Sequence, residues 1–386
     1  MQMDLQHYPA SPFGRAIRTR GHHGYIAYIP APIPRSIELA PSSITLLAEA
    51  EAALGRLAGL GETLLNPHLL IRPYVLREAV FSTRIEGTRA SMADLFALEA
   101  GGGEPDADAE EVLGYVDALT WGLTQSELPL SIRLMREMHR RLMAGVRGQN
   151  RMPGELRTSQ NWIGAPGSTI ETAQFVPPPP DELPELLADW EAFAHEGGEL
   201  PLLVRNALLH YQLETIHPFL DGNGRLGRLL IVFMLIADNR LPAPLLDISS
   251  YFERDRHSYY AALRNVSETG SAAIWIDLFL AAVRAQATAA TARAQRLVAL
   301  REEYRRRAAS LPSRHAVSLA DLICATPIVS ARLVTDRLAV TRPTAGNLLR
   351  LLAAEGLLVR AGTGDRGQQR YVAKEILDVL AGDERD

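Results

Sequence analysis

His217-Pro218-Phe219-Leu220-Asp221-Gly222-Asn223-Gly224-Arg225-Leu226-Gly227-Arg228 is the segment from which the rest of the chain can be read. Pro218 cannot continue a helix, so His217 is expected on the last turn of the apolar run Pro201–Ile216. Gly222 and Gly224 let the backbone turn tightly around Asn223 and expose its N–H groups. An apolar helix over Arg225–Asp238 then begins, and its N-terminus offers free donors and a positive dipole end, a cradle for an anion. Arg225 and Arg228 are three apart and share a face, so both guanidiniums reach one polyphosphate. Asp221 is a hard oxygen ligand suited to Mg²⁺. His217 has an unperturbed pKa of ~6.5, suited to proton transfer near neutrality. A glycine turn or a histidine at a helix end is usually structural when met alone. A base, a metal carboxylate, an oxyanion nest and two arginines within twelve residues point instead to group transfer from a nucleotide.

The segment resembles the Fic family motif, His-Pro-Phe-x-Asp/Glu-Gly-Asn-Gly-Arg-x-x-Arg, at every specified position. The resemblance runs over roughly residues 35–280 and takes in Gly154-Glu155-Leu156-Arg157-Thr158-Ser159-Gln160 and the Tyr259-Tyr260 pair. It implies a mainly α fold with a Fic-type helical core and a short β-hairpin flap. The activity it implies is transfer of AMP from Mg²⁺-ATP to a Ser, Thr or Tyr hydroxyl of a target protein or of the chain itself. In that reading His217 deprotonates the hydroxyl and Asp221 holds Mg²⁺. Gly222, Asn223 and Gly224, with Leu226 and Gly227 behind them, bind ATP, while Arg225 and Arg228 neutralise the departing pyrophosphate. Tyr259 and Tyr260 lie by the adenine. Some relatives carry an asparagine where this chain has Ser267. The flap, with Arg157, Thr158, Phe175 and Val176, looks like a strand on which a target segment docks by main-chain hydrogen bonds. The alternative is a surface hairpin with no partner.

A second string, Ser82-Thr83-Arg84-Ile85-Glu86-Gly87, resembles the inhibitory motif of the same family. It sits at the end of a helix expected over Pro73–Glu86 and places Ser82 and Glu86 on one face. The resemblance implies that Glu86 pairs with Arg228, takes the place of the γ-phosphate and forces ATP into a non-productive pose. By composition alone Glu86 is equally an ordinary helix-end carboxylate. The same carboxylate could also orient water for removal of AMP.

Composition narrows the classes further. Of 40 Lys and Arg residues only Lys374 is a lysine, and no glycine-rich loop precedes it. That excludes a P-loop, a protein kinase and the usual Schiff-base enzyme. A net charge of -5 argues against nucleic-acid binding over the whole surface. Cys324 is the one cysteine, so no internal disulfide or thiolate metal cage forms, which fits a reducing, cytoplasmic setting. Leu229–Ala237, nine residues, is the longest apolar run, and no membrane association is expected.

At 386 residues, two or three domains are expected. Residues 1–108 form an N-terminal arm, patternless over the first 35, and a helical region holding the inhibitory helix. Residues 109–283 form the catalytic core, and 284–310 a connecting helix free of Gly and Pro. Residues 311–386 read as three short helices and two strands, the order of a winged helix-turn-helix. Arg342, Asn347 and Arg350 on the third of these helices, the recognition-helix candidate, could touch DNA, and Arg366 and Arg370 could track phosphates. Ten basic against nine acidic residues leave a docking or dimerisation module as an equal reading. Homodimerisation through helical faces is a further expectation. The alternatives to a self-inhibited transferase are a de-adenylylating hydrolase at the same site and a DNA-binding regulator using the core as a nucleotide sensor.

Overall fold

The computed structural model describes residues 3–19, 24–63, 68–101, 103–145, 151–196, 199–363 and 367–382. The first 35 residues carry more order than their sequence suggests. β1 (Gly14–Arg18) and β2 (Ile26–Pro30) pair antiparallel with Ala16 opposite Tyr28. Tyr28 N donates to Val176 O (2.9 Å) and Met3 N to Ala173 O (3.1 Å), so the arm braces the flap. The flap itself is no regular hairpin. A single antiparallel bridge, Ile163 to Phe175, ties its two sides.

The helices follow as α1 (Pro41–Thr63), α2 (His68–Ile85), α3 (Met92–Glu99), α4 (Ala107–Leu123) and α5 (Ile132–Leu142). After the flap come α6 (Leu183–His195), α7 (Leu202–Ile216), α8 (Asn223–Ala237), α9 (Ser249–Arg254), α10 (Arg256–Thr269) and α11 (Ala273–Ala309). Their starts obey local chemistry. Ser91, Asp106 and Ser131 each accept from the backbone N–H three residues on, capping α3, α4 and α5. The apolar helix α8 is buried on nearly every side and packs against α4, α5 and α7. α11 is long and apolar enough to cross a membrane by length and composition, but half of that stretch is buried, with α1 packed along it.

Two boundaries differ from expectation. α2 begins at His68, with Pro73 inside it, where the ring removes only one helical hydrogen bond. It ends at Ile85, leaving Glu86 and Gly87 in a turn in which Gly87 adopts φ +104°. That left-handed glycine turns the chain away and leaves Glu86 at the tip of the helix.

The C-terminal segment runs α12 (Ala316–Ala325), β3 (Ile328–Ser330), α13 (Ala331–Leu338), α14 (Arg342–Ala354), β4 (Val359–Thr363), β5 (Gln369–Val372) and α15 (Lys374–Ala381). Its sheet is antiparallel in the order β3-β5-β4. β3 and α15 are absent from the sequence reading, although Ile376, Leu377 and Leu380 show helical spacing and are buried. Arg342, Asn347 and Arg350 are exposed on α14. Arg366 lies outside the described residues.

α2 is anchored in its middle by a buried carboxyl. Glu78 accepts from Tyr115 Oη of α4 (3.0 Å), from Ser249 N (3.0 Å) and from Ser249 Oγ of α9. Burial pushes its pKa up to about 7 against these three donors. A carboxyl with a raised folded pKa contributes stability that is full below the ordinary value of 4.5 and is lost as pH rises through about 7. Glu78→Gln therefore removes a slope of at most about 1.4 kcal/mol per pH unit between those limits. Thermal melts of both proteins at pH 5, 6, 7 and 8 check this, and parallel curves would contradict it.

Candidate active site

α7 and α8 meet at the site through a loop that their own side chains close. His217 caps α7 in the left-handed region (φ 49°) and Gly222 caps α8 with φ 76°. Asn223 accepts from Phe219 N and donates to Phe219 O, both at 2.9 Å. Its amide is thus committed to shaping the loop, with its backbone N–H at the start of α8. Gly222 is required twice over, since a Cβ there would also sit 2.5 Å from Met143 Sδ.

The loop is held from outside by residues the sequence did not single out. His139 stacks on Phe219, ring centroids 3.7 Å apart and 11° from parallel. Its Nδ1 accepts from Gly154 N (2.9 Å), so Nε2 carries the proton and donates to Asp221 O (2.9 Å). Burial lowers its pKa to about 4, which keeps that neutral tautomer. Asn161 Nδ2 donates to Phe219 O (2.9 Å).

Arg157 belongs to the same scaffold, contrary to its expected place on a docking strand. Its guanidinium is buried and donates to the carbonyls of His217 (2.9 Å), Pro178 (2.5 Å) and Ile216 (3.3 Å). Val176 and Phe175 are likewise buried, packed with Tyr8 and Tyr28, and Phe175 also lines the cavity described below. Thr158 is exposed. Loop carbonyls that cannot pair within a helix need such donors, and the arginine fork supplies several at once.

His217 Nδ1 lies 3.2 Å from Glu214 O. A carbonyl only accepts, so Nδ1 holds the proton and Nε2 is left as an acceptor. Burial pushes the imidazole pKa down to about 4, with Arg157 adding to the shift. The ring is therefore neutral near pH 7, the state a base needs.

The ring opens on a 640 Å³ cavity shared with Asp221, Gly222, Gly224, Glu86, Tyr260 and the flap residue Trp162. Asp221 accepts from Gly222 N (2.7 Å) and is 45% exposed there. Arg225 pairs with Glu111 of α4 (3.1 Å) and stands 3.6 Å from Asp221. The tyrosines separate. Tyr259 is buried, hydrogen-bonded to His210 Nε2 (2.8 Å) and stacked on Phe252, while Tyr260 alone of the pair faces the cavity. Ser267 Oγ bonds Tyr211 Oη (2.8 Å).

Arg228 has 0% side-chain exposure, and its hydrogen bonds go to Ser82 near the end of α2 and to Glu86 just beyond it. Nε donates to Ser82 Oγ (3.0 Å), and Nη2 to Ser82 O (2.9 Å) and Glu86 Oε1 (2.7 Å). Nη1 has no hydrogen-bond partner among the described residues. Burial pushes the Glu86 carboxyl up, but the charge of Arg228 and its hydrogen bond outweigh it, so the pKa falls below the ordinary value. A Cβ at position 224 would lie 2.7 Å from Glu86 Oε1, so glycine there is what lets the carboxylate in.

The Fic/DOC family N-terminal model matches residues 44–124 and the Fic/DOC family model residues 129–235. Protein adenylyltransferase fic-1 of Caenorhabditis briggsae is 28% identical over 204 residues, 49% of this chain and 37% of the relative. The probable protein adenylyltransferase aq_aa38 of Aquifex aeolicus is 33% identical over 96 residues, 25% of this chain and 28% of its own. Each match thus spans little more than a third of the relative's length, or less. Among solved structures, a Fic family protein from Desulfovibrio desulfuricans superposes with a TM-score of 0.59 at 23% identity, covering 87% of this chain and 97% of that one. Fic-1 from C. elegans gives 0.51 at 21% identity, over 67% of this chain and 74% of the other. The fold is shared along nearly the whole of the bacterial protein, and by sequence and architecture together this chain belongs to the Fic/DOC family.

Proposed function

We propose that the chain is a self-inhibited adenylyltransferase that transfers AMP from ATP to a hydroxyl side chain of a protein. The observation that carries this reading is the state of Arg228. It is a buried guanidinium with one orphaned nitrogen beside the glycine turn, and a carboxylate on its other edge. A fully buried cation with spare donors fits an anion, and Glu86 fills the place that anion would need.

The remaining groups fit the same substrate. The backbone N–H groups of Asn223 and Gly224 open α8, where phosphate oxygens find donors and the dipole's positive end. Asp221 offers one carboxylate facing the cavity, and among the described residues no cluster of three or more acidic, histidine or cysteine ligands forms. That suits Mg²⁺, which takes one or two carboxylates and completes its shell with phosphates and water. When bound there, the ion offsets negative charge on the phosphates. Arg225 must exchange Glu111 for phosphate to do the same.

In the reaction, the target oxygen forms a bond to the α-phosphorus as the bond to the bridging oxygen of the β-phosphate breaks. Pyrophosphate leaves with that electron pair, and His217 Nε2 takes the hydroxyl proton. Tyr260 lines the same cavity, where its ring can pack beside the nucleoside. The C-terminal helices and three-stranded sheet are read as a winged-helix module, with Arg342, Asn347 and Arg350 presented on its exposed helix.

Intact-mass measurement after incubation with Mg²⁺-ATP tests this on wild type, Glu86→Gly and Glu86→Gly/His217→Ala. AMP addition is expected to rise at least about 10-fold in Glu86→Gly, the equivalent of ~1.4 kcal/mol, and to vanish in the double variant. Equal rates in wild type and Glu86→Gly would remove the brake, and activity without His217 would remove the base.

The acid limb of the pH profile is a separate prediction. Because the neutral imidazole is the base and its pKa is lowered to about 4, Glu86→Gly keeps His217 competent until pH falls well below 6. Glu214, in the same cavity and raised to about 7 by burial, accounts for any step near neutrality, and Glu214→Gln removes that step. A limb centred at 6.5 or above that survives Glu214→Gln would contradict the assignment of the base.

A further inference from the structure

The helix that carries Ser82, with Glu86 at its tip, is gripped at its middle by the C-terminal segment. Arg77 lies nine residues before Glu86 on α2 and is 1% exposed. Its Nη1 donates to the carbonyl oxygens of Leu380 (2.9 Å) and Ala381 (3.0 Å), the last residues of α15. Those carbonyls lack partners within α15 and form the negative end of its dipole, so a buried guanidinium is a fitting cap. Nε of the same arginine donates to Asp247 (2.6 Å). Asp247 is shared with Arg293 (3.2 Å) of α11, the helix that leads into the C-terminal segment. Below these charges, Ile376, Leu377 and Leu380 of α15 are buried in the continuous core that also holds Leu76 and Val80 of α2. α12 packs on α2 as well. Arg77 further stacks on Phe81 (4.7 Å to the ring centroid), the residue before Ser82.

One rod, α2, thus joins two contacts that have no other reason to be linked. Its C-terminal end closes on Arg228 in the cavity, and its middle is clasped by α15. A hydrogen-bonded helix carries displacement along its axis, so the register of Glu86 against Arg228 depends on what holds Arg77. We propose that docking of the C-terminal helix α15 on Arg77 sets the brake, and that release of α15 frees Glu86 from Arg228 and opens the site to ATP. This rests on the reading of Glu86 as a brake and adds the element that governs it. α15 has two discrete positions in this scheme, docked and undocked, and the affinities of ATP for the site and of α15 for α2 oppose each other by linkage.

The test uses the full chain with Glu86 intact. Leu380→Asp places a charge under α15 and undocks it from the apolar side. Arg77→Gln removes the clasp from the α2 side and covers the case in which the first variant fails to fold, which circular dichroism and a melt would show. Two quantities are read for each: AMP incorporation with Mg²⁺-ATP, and hydrogen–deuterium exchange of the amides of residues 78–86. Both variants are expected to incorporate AMP at least about 10-fold faster than wild type, and Glu86→Gly added to either gives no further gain. Exchange across 82–86 rises in both. A merely structural role for the clasp would lower activity, so a gain separates the two. If Glu86→Gly is active while both variants stay at the wild-type rate, the coupling is wrong and the transferase reading stands. If Glu86→Gly is inactive, the transferase reading fails and exchange decides: faster exchange at 82–86 supports the coupling, and unchanged exchange overturns it.

Discussion

Arg228 is sealed from bulk solvent, and the arrangement around it follows from that. An isolated ion at such a depth costs several kcal/mol, so it must be met by acceptors with good geometry. α8 supplies none, because it is apolar almost throughout. The acceptors come from two residues four apart at the end of α2, the main-chain oxygen and hydroxyl of Ser82 and the carboxylate of Glu86 just beyond it. The same contact therefore ties two helices together and closes the anion site. In the proposed reading, stability and restraint of activity share one ion pair, so loosening one loosens the other.

The loop between α7 and α8 obeys a different constraint. It must show donors to an anion while its carbonyls point the other way, and those carbonyls are buried. His217, Phe219 and Asp221 each hand an oxygen to a neighbouring side chain: Arg157, Asn161 and His139 respectively. Asn223 closes the inner edge. The parts that touch substrate are few, and the parts that keep them in place come from α5 and the flap. An imidazole held in one tautomer, His217, and a carboxylate held by its own loop, Asp221, are products of that packing.

The twelve-residue motif was legible because its chemistry is local: every group that acts lies within three helical turns. Glu86 was legible only through resemblance, as nothing in its own surroundings in sequence distinguishes it from a surface acid. His139 and Asn161 were not legible, since a histidine 78 residues before His217 acquires meaning only when α5 is laid against the loop. Arg157 was read outward and turns inward, because the sequence cannot show which carbonyls lack partners. The tyrosine pair held a signal that went unused. Neighbours on a helix point about 100° apart, so one facing the cavity requires the other to face the core. The early hairpin escaped notice because it draws its order from the flap it braces, and α15 because its apolar pattern spans barely two turns.

α11 gives the molecule a length scale. Its 37 residues extend about 55 Å without a glycine or proline, from the foot of the core to the start of the C-terminal segment. A rod of that kind is not a tether. The segment it carries cannot drift on a flexible linker or search a wide volume around the core, and its average position is set by the axis of one stiff beam packed along α1. Whatever binds at the far end meets a surface of fixed bearing and distance from the nucleotide cavity. Force applied there passes through the fastenings of the short helices at the beam's end.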